Sequence, residues 1–364
     1  MKMNDIDPKS YLPKYAQLKE TLKTHILSGS IKDRLPGEHD ISKQYNISYM
    51  TVRKAVSELV DEGLLYRVSG NGTFISRPGM KKEKNYQILL TLQSWTNLNA
   101  PYYAEILAGI EQAASEQDYF VVISNSELNF SDPGKISKKN NRLNVDGIIM
   151  PVNKKHDQMK LISKFIPTVC FGDWSKAEYC PRIFNDSYKA VTSILEYLYA
   201  NEHKKIGRIM HKFEKDESPN RKAYYDFFKK KKMEVKEEFL FSCDCTKLGA
   251  GHSGAEYFSS LKDKPTAIMC HLDSVAAEAI MRFQEKGIRV PDDISVFGYN
   301  NSTIASQVFP GISTIDNNAK KIGRTCFEVL LSIINGEVDM KKIKTIEIES
   351  KLVIRGSTKS LIST

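Results

Sequence analysis

Ser48-Tyr49-Met50-Thr51-Val52-Arg53-Lys54-Ala55-Val56-Ser57-Glu58-Leu59 is the stretch on which the fold of this chain turns. Val52, Ala55, Val56 and Leu59 recur at i, i+3, i+4 and i+7, which places four apolar side chains on one stripe of a helix. Tyr49, Met50, Arg53, Lys54 and Ser57 then face outward. Ser48 is placed to cap the helix by accepting from the N–H of Met50 or Thr51. Just upstream, Ile41 and Tyr45 mark the apolar face of another helical segment, and Asn46-Ile47-Ser48 makes the turn between them. The spacing is that of a helix-turn-helix. An exposed first turn carrying Arg, Lys, Tyr and Thr suits the donor and acceptor pattern of a DNA major groove.

Working outward, Gly63 ends that helix, and Leu64–Val68 and Thr73–Ser76 flank Ser69-Gly70-Asn71-Gly72, a hairpin signal with residues that tolerate positive φ. This is a wing, with Arg67 and Arg77 placed to neutralise phosphates. Residues 12–76 resemble the winged helix-turn-helix of the GntR family of bacterial repressors. The motifs are Leu12-Pro13-Lys14-Tyr15, Leu35-Pro36-Gly37-Glu38, Ser48 with Thr51-Val52-Arg53-Lys54-Ala55, Glu62-Gly63-Leu64-Leu65, and Gly70 with Gly72-Thr73-Phe74. The chain departs from the family at Gly37, where Ser is usual, and at Tyr49, where Arg is usual. The stripe, the wing and the resemblance together assign the DNA surface to Glu38, Ser48, Tyr49, Met50, Thr51, Arg53, Lys54, Arg67, Gly70, Asn71, Gly72 and Thr73.

Residues 1–84 hold 15 Lys and Arg against 10 Asp and Glu, so over half the net charge of +9 sits in less than a quarter of the 364 residues. That concentration favours a polyanionic partner. The run Arg77-Pro78-Gly79-Met80-Lys81-Lys82-Glu83-Lys84-Asn85 is nearly free of apolar residues and predicts a solvated linker at 78–85, between a DNA-binding domain at 1–77 and a second domain at 86–364. No run reaches the ~18 apolar residues of a membrane span, and the polar start predicts a cytoplasmic protein. Six scattered cysteines read as reduced thiols; Cys243 and Cys245 form a CxC pair without a second pair to complete a zinc site.

Beyond the linker, short β-rich runs alternate with amphipathic helices: strands at 87–92, 120–124, 147–151, 168–171, 205–210, 267–270 and 294–297, with helices at 101–117, 186–200, 220–231, 252–261, 274–286 and 317–334. That order predicts parallel α/β sheets, in which ligands bind beyond the carboxyl ends of strands. There stand Tyr102, Asp173, Trp174, His211, Arg221, His271, Asp273 and Asn300, a set of acceptors, amides, aromatic faces and one guanidinium suited to a small polyol. The stretch also resembles the LacI/GalR effector domain, a two-lobed periplasmic-binding-protein-like fold, most strongly in Pro265-Thr266-Ala267-Ile268 and Val290-Pro291-Asp292-Asp293-Ile294-Ser295. A GntR head on such a domain is similar to the arabinose-repressor branch. The resemblance implies ligand roles for Tyr102, Asp173, Arg221, Asp273, Asn300 and Asn317. Leu272 stands where Asn is common and Asn300 where Asp is common, which counts against arabinose itself.

Two other classes of function compete. Gly249-Ala250-Gly251-His252-Ser253-Gly254 spells G-x-G-x-x-G, the fingerprint of an NAD(P)-dependent oxidoreductase, but six mostly polar residues separate it from the preceding strand where a tight turn is needed. A small-molecule binding protein without DNA function would share the two lobes but not the basic head. The histidines have no metal-ligand spacing, and no nucleophile motif is present. The expectation is a non-enzymatic, homodimeric transcription repressor of sugar catabolism. It would need no cofactor or membrane, and a neutral sugar effector would control its binding to a double-stranded operator.

Overall fold

The computed structural model describes residues 6–7, 10–68, 71–76, 85–92, 100–124, 145–152, 160, 162–164, 166–173, 179–340, 342 and 345–361. Trp174, Gly70, Arg77 and all of the expected linker except Asn85 lie outside this set.

The amino-terminal unit runs α1 (Lys14–Ser28), α2 (Glu38–Tyr45), α3 (Tyr49–Asp61), β1 (Leu65–Val68) and β2 (Gly72–Ile75). Val52, Ala55, Val56 and Leu59 are all fully buried, so the stripe faces inward, onto Leu18 and Leu22 of α1, Ile41 of α2 and Leu64, Leu65 and Ile75 of the wing. Asn46 ends α2 with a positive φ of 49°, and Ser48 caps α3 by accepting from Thr51 N–H. Strands β1 and β2 pair antiparallel, with Val68 opposite Gly72. Leu35 N–H donates to Thr73 O and Ile75 N–H to Asp33 O, so residues 33–35 add a third rung to the wing.

Among the described residues the remainder forms two parallel sheets and one antiparallel pair of strands. The first has the order β13-β7-β6-β5-β3-β4, from β3 (Gln87–Thr91), β4 (Phe120–Ser124), β5 (Gly147–Pro151), β6 (Thr168–Phe171), β7 (Arg182–Phe184) and β13 (Ile346–Glu347). Helices α4 (Pro101–Ser115) and α10 (Ala319–Ile334) pack on it and on each other. Gly109 and Gly323 mark their closest approach: a Cβ on either would run into the other helix's backbone. The second sheet has the order β11-β10-β8-β9, from β8 (Ile206–His211), β9 (Leu240–Cys243), β10 (Ala267–Cys270) and β11 (Ser295–Phe297). It is covered by α5 (Ser187–Ala200), α6 (Pro219–Lys230), α7 (Ala250–Ser260) and α8 (Asp273–Glu285), with α9 (Ile304–Gln307) beside α8. β12 (Thr314–Asp316) and β14 (Lys351–Val353) pair antiparallel.

The chain passes between the two lobes after β7, after β12 and after β13. Asn185, 5% exposed, ties these passages together, since its Nδ2 donates to Asn317 O at 2.7 Å and to Ile348 O at 2.8 Å. The passages bring together the carboxyl ends of β6, β8, β10 and β11.

Candidate functional site

On the head, the exposed line of α3 carries Met50, Arg53 and Lys54. Ser48 Oγ and Thr51 Oγ1 lie 2.7 Å apart, so both hydroxyls belong to the cap. The Tyr49 ring stacks on His39 with centroids 4.5 Å apart and planes 17° from parallel. Lys54 Nζ stands 3.7 Å over the ring of Tyr15. In the wing, Arg67 Nη2 donates to Glu38 Oε1 at 3.1 Å, and Thr73 is buried. Gly72 has a φ of 106°, and a Cβ there would stand 3.1 Å from the Arg34 guanidinium. The positive φ favours glycine there, and a larger residue would also have to shift the Arg34 guanidinium. At Gly37 a Cβ would sit 2.9 Å from Asp40 Oδ2, so the aspartate occupies the room a larger α2 cap would use.

Between the lobes, Tyr102 opens α4 beside Tyr103, and Asp173 Oδ2 accepts from Ser187 N–H at 2.8 Å at the start of α5. Tyr299 lies next to the side chains of Asn317 and Ser187, and burial pushes its phenol up to about 12. Deeper in the second lobe, Ser218 caps α6 by accepting from Arg221 N–H, while Arg221 Nε reaches Asp216 at 3.1 Å. Met210 Sδ lies 3.9 Å from Arg221 Nη1, which places the guanidinium at the end of β8. His271 follows β10 with its ring 5.7 Å from that of His211; burial lowers its pKa to about 3, and Arg208 and His211 push the same way. It is therefore a neutral imidazole at ordinary pH. The described residues make an assembly of hydrogen-bonding groups, aromatic faces and paired charges.

Two family descriptions match the chain in succession: the gntR family of bacterial regulatory proteins over residues 14–75, and a periplasmic-binding-protein-like domain over residues 195–358. The HTH-type transcriptional repressor PurR of Actinobacillus pleuropneumoniae serotype 3 is 30% identical over 277 residues, covering 73% of this chain and 80% of that protein. The chain belongs to the LacI-type transcription repressors, with a GntR-type head. The arabinose metabolism transcriptional repressor of Geobacillus stearothermophilus is 25% identical over 362 residues, 96% of this chain and 99% of its own, so the repressor aligns with it from head to effector domain. A transcriptional regulator CelR–cellobiose complex shares the fold with a TM-score of 0.63 at 19% identity, covering 94% of this chain and 98% of that one. These relatives are regulators, and no helix among the repressor's described residues is long and apolar enough to cross a membrane.

The repressor's own geometry reassigns several residues. The G-x-G-x-x-G run does not cradle a phosphate: Gly249 N–H and Gly251 N–H donate to the Glu278 carboxylate at 3.1 and 2.8 Å, so an acid from α8 already fills the amino end of α7. A Cβ on Gly251 would strike Val275 O of α8, and one on Gly254 would strike Ile209 of β8; these glycines serve packing. Asp273 is 1% exposed, and its oxygens accept from Ser302 N–H, Ser302 Oγ and Thr314 Oγ1 at 2.7, 2.9 and 2.6 Å. Thus it fastens α8 to the loop after β11 and to β12. Asn317 is also buried, and its Nδ2 donates to Asn300 Oδ1 at 2.8 Å while its Oδ1 accepts from Ser350 Oγ at 2.8 Å. Buried Thr73 turns inward from the wing.

Sequence reasoning missed Arg208 and Glu214. Arg208 Nη2 lies 2.9 Å from a Glu214 oxygen, both side chains are 5–6% exposed, and Ser218 Oγ donates to the same carboxylate at 3.0 Å. The signal was a charged residue inside the otherwise apolar strand Ile206-Gly207-Arg208-Ile209-Met210, where a buried guanidinium requires a partner.

Proposed function

We propose that the protein is a dimeric repressor of sugar-catabolism genes, with a neutral sugar held between the lobes setting its affinity for a two-half-site operator. The domains divide at the 78–85 linker, and the protein works in the cytoplasm. On the head, α3 enters the major groove by its first turns, with Met50 and Arg53 facing the bases or backbone. Tyr49, pinned by His39, lies at the edge of the contact, and Lys54 flanks it. Asn71 and Gly72 bring the wing tip to the phosphates, with Arg67 and Glu38 at its base.

The observations that support the effector assignment are the nearness of Tyr102, Tyr299 and Asp173 to one another, the Asn317–Asn300 hydrogen bond beside Tyr299, and Arg221 at the carboxyl end of β8 in the second sheet. Aromatic faces cover the apolar side of a sugar ring, and a carboxylate, an amide and a guanidinium share its hydroxyl hydrogen bonds. Asp273 and Asn317 act as positioning residues behind them. Asp173 and the pairing of both arginines with carboxylates favour a neutral ligand over a phosphorylated one. The effector favours one arrangement of the lobes, and paired heads gain or lose half-site spacing with it.

Thermal-shift measurements on the full chain with a panel of monosaccharides, disaccharides and sugar phosphates test this reading, because a ligand of the native state raises its apparent stability. A stabilising neutral sugar, with Arg221→Ala abolishing the shift, is the expected result. Stabilisation by phosphorylated sugars alone would contradict the ligand class, and an unchanged shift in Arg221→Ala would place the site elsewhere.

A further inference from the structure

The buried side chains of α3 fix the line of the helix that points furthest from the protein. At about 100° per residue, Met50 lies within about 10° of the direction opposite the mean of Val52, Ala55, Val56 and Leu59. Met50 is 67% exposed and sits in the first turn, the end a recognition helix presents to base edges. Of its polar neighbours, Ser48 and Thr51 share the cap, Tyr49 stacks on His39 and Lys54 lies over Tyr15, while Arg53 stands to one side of it. The group carried deepest is therefore a thioether ending in a methyl, with no donor to offer.

Among the base edges of the major groove, only thymine presents a methyl; the others present N–H donors and N or O acceptors. A thioether pressed on those polar edges would leave them without partners, which costs affinity. We propose that Met50 is a specificity-determining residue that packs on a thymine 5-methyl group in each half-site. Arg53, about 60° around the helix from Met50, supplies the polar contact beside it. This inference rests on the major-groove docking of α3 proposed above.

The test uses the full-length protein and a duplex selected from a randomised pool. Thymines of each half-site are replaced singly by deoxyuridine, which removes the methyl and keeps the pairing. One position per half-site should weaken binding roughly fourfold, the value of one buried carbon. Met50→Ala should bind thymine and deoxyuridine duplexes alike, while Met50→Leu should keep the preference; circular dichroism should match the parent, since the side chain is exposed. The proposal is overturned if no deoxyuridine substitution changes parental affinity, or if Met50→Ala retains the full thymine preference. Arg53→Ala separates the two readings: parental affinity in that variant would overturn the docking itself, and this inference with it.

Discussion

The first turn of α3 and the junction of the lobes both collect polar side chains, but they spend them differently. On the head, Arg53 and Met50 stand in solvent, and the hydroxyls that are engaged serve one local cap. At the junction and in the second lobe behind it, several polar side chains already have protein partners: Asp273 holds Ser302 and Thr314, Asn317 holds Asn300, and Arg208 holds Glu214. A DNA reader can be presented ready-made, because a nucleic acid meets a rigid outer face. On the proposed reading, a ligand held there exchanges partners with the protein, which ties its binding to rearrangement.

The largest effect that would sharpen this contrast is at the buried pair. Glu214→Ala leaves the Arg208 guanidinium buried and unpaired, and should cost about 3–5 kcal/mol of stability in urea unfolding. The apolar double variant Arg208→Met/Glu214→Leu should lose far less. A loss below about 1 kcal/mol in Glu214→Ala would mean that the pair behaves as an exposed one, erasing the difference from Arg67–Glu38 on the wing.

Acid should divide the regions next. Burial lowers the pKa of His203 and His271, so the folded state binds fewer protons than an unfolded chain titrating near 6.5. The stability they confer is complete above that value and is lost as pH falls from 6.5 towards the folded pKa, about 3 for His271. The head has no buried histidine among its described residues. Hydrogen exchange at pH 7 and pH 5.5, corrected for intrinsic rates, should show protection falling in β8, β10 and β11 while α1 and α3 keep theirs. Equal losses in both would remove the histidines from the account.

Smaller effects belong to the head. Arg53→Ala should weaken operator binding by about 1–3 kcal/mol and leave the sugar-induced thermal shift unchanged; a lower salt dependence without loss of sequence preference would assign Arg53 to phosphate. Ser48→Ala removes the α3 cap and should cost about 1 kcal/mol of head stability, read from the denaturation midpoint. An unchanged midpoint would mean that Thr51 or water replaces the cap.

What was legible in the sequence follows the same division. The α3 stripe, the wing and the alternation of strands and helices depend on periodicity and on turn residues, which local sequence displays. The strands at 120–124, 147–151, 168–171 and 267–270 appear at those bounds. Helix α1 had no separate signal beyond its opening motif, since its buried Leu18, Leu22 and Ile26 are spaced among lysines and threonines. Partner choice was not legible. Asp273 looks like a ligand group at a strand end, and only the arrival of Ser302 and Thr314, 29 and 41 residues further on, shows what occupies it. Asn300 and Asn317 come from segments on either side of β12, and Glu278 reaches Gly249 and Gly251 from α8, the next helix, across the intervening strand β10.

On the proposed function, a ligand held at the lobe junction controls a head that reads DNA from a separate domain. Fluorescence anisotropy of a selected duplex, titrated with parent and Arg221→Ala protein with and without the stabilising sugar, tests it most directly. The sugar should change parental affinity at least ~10-fold, and Arg221→Ala should bind the duplex within about twofold of the sugar-free parent and ignore the sugar. An equal sugar response in both proteins, or loss of sugar-free DNA binding in Arg221→Ala, would contradict it.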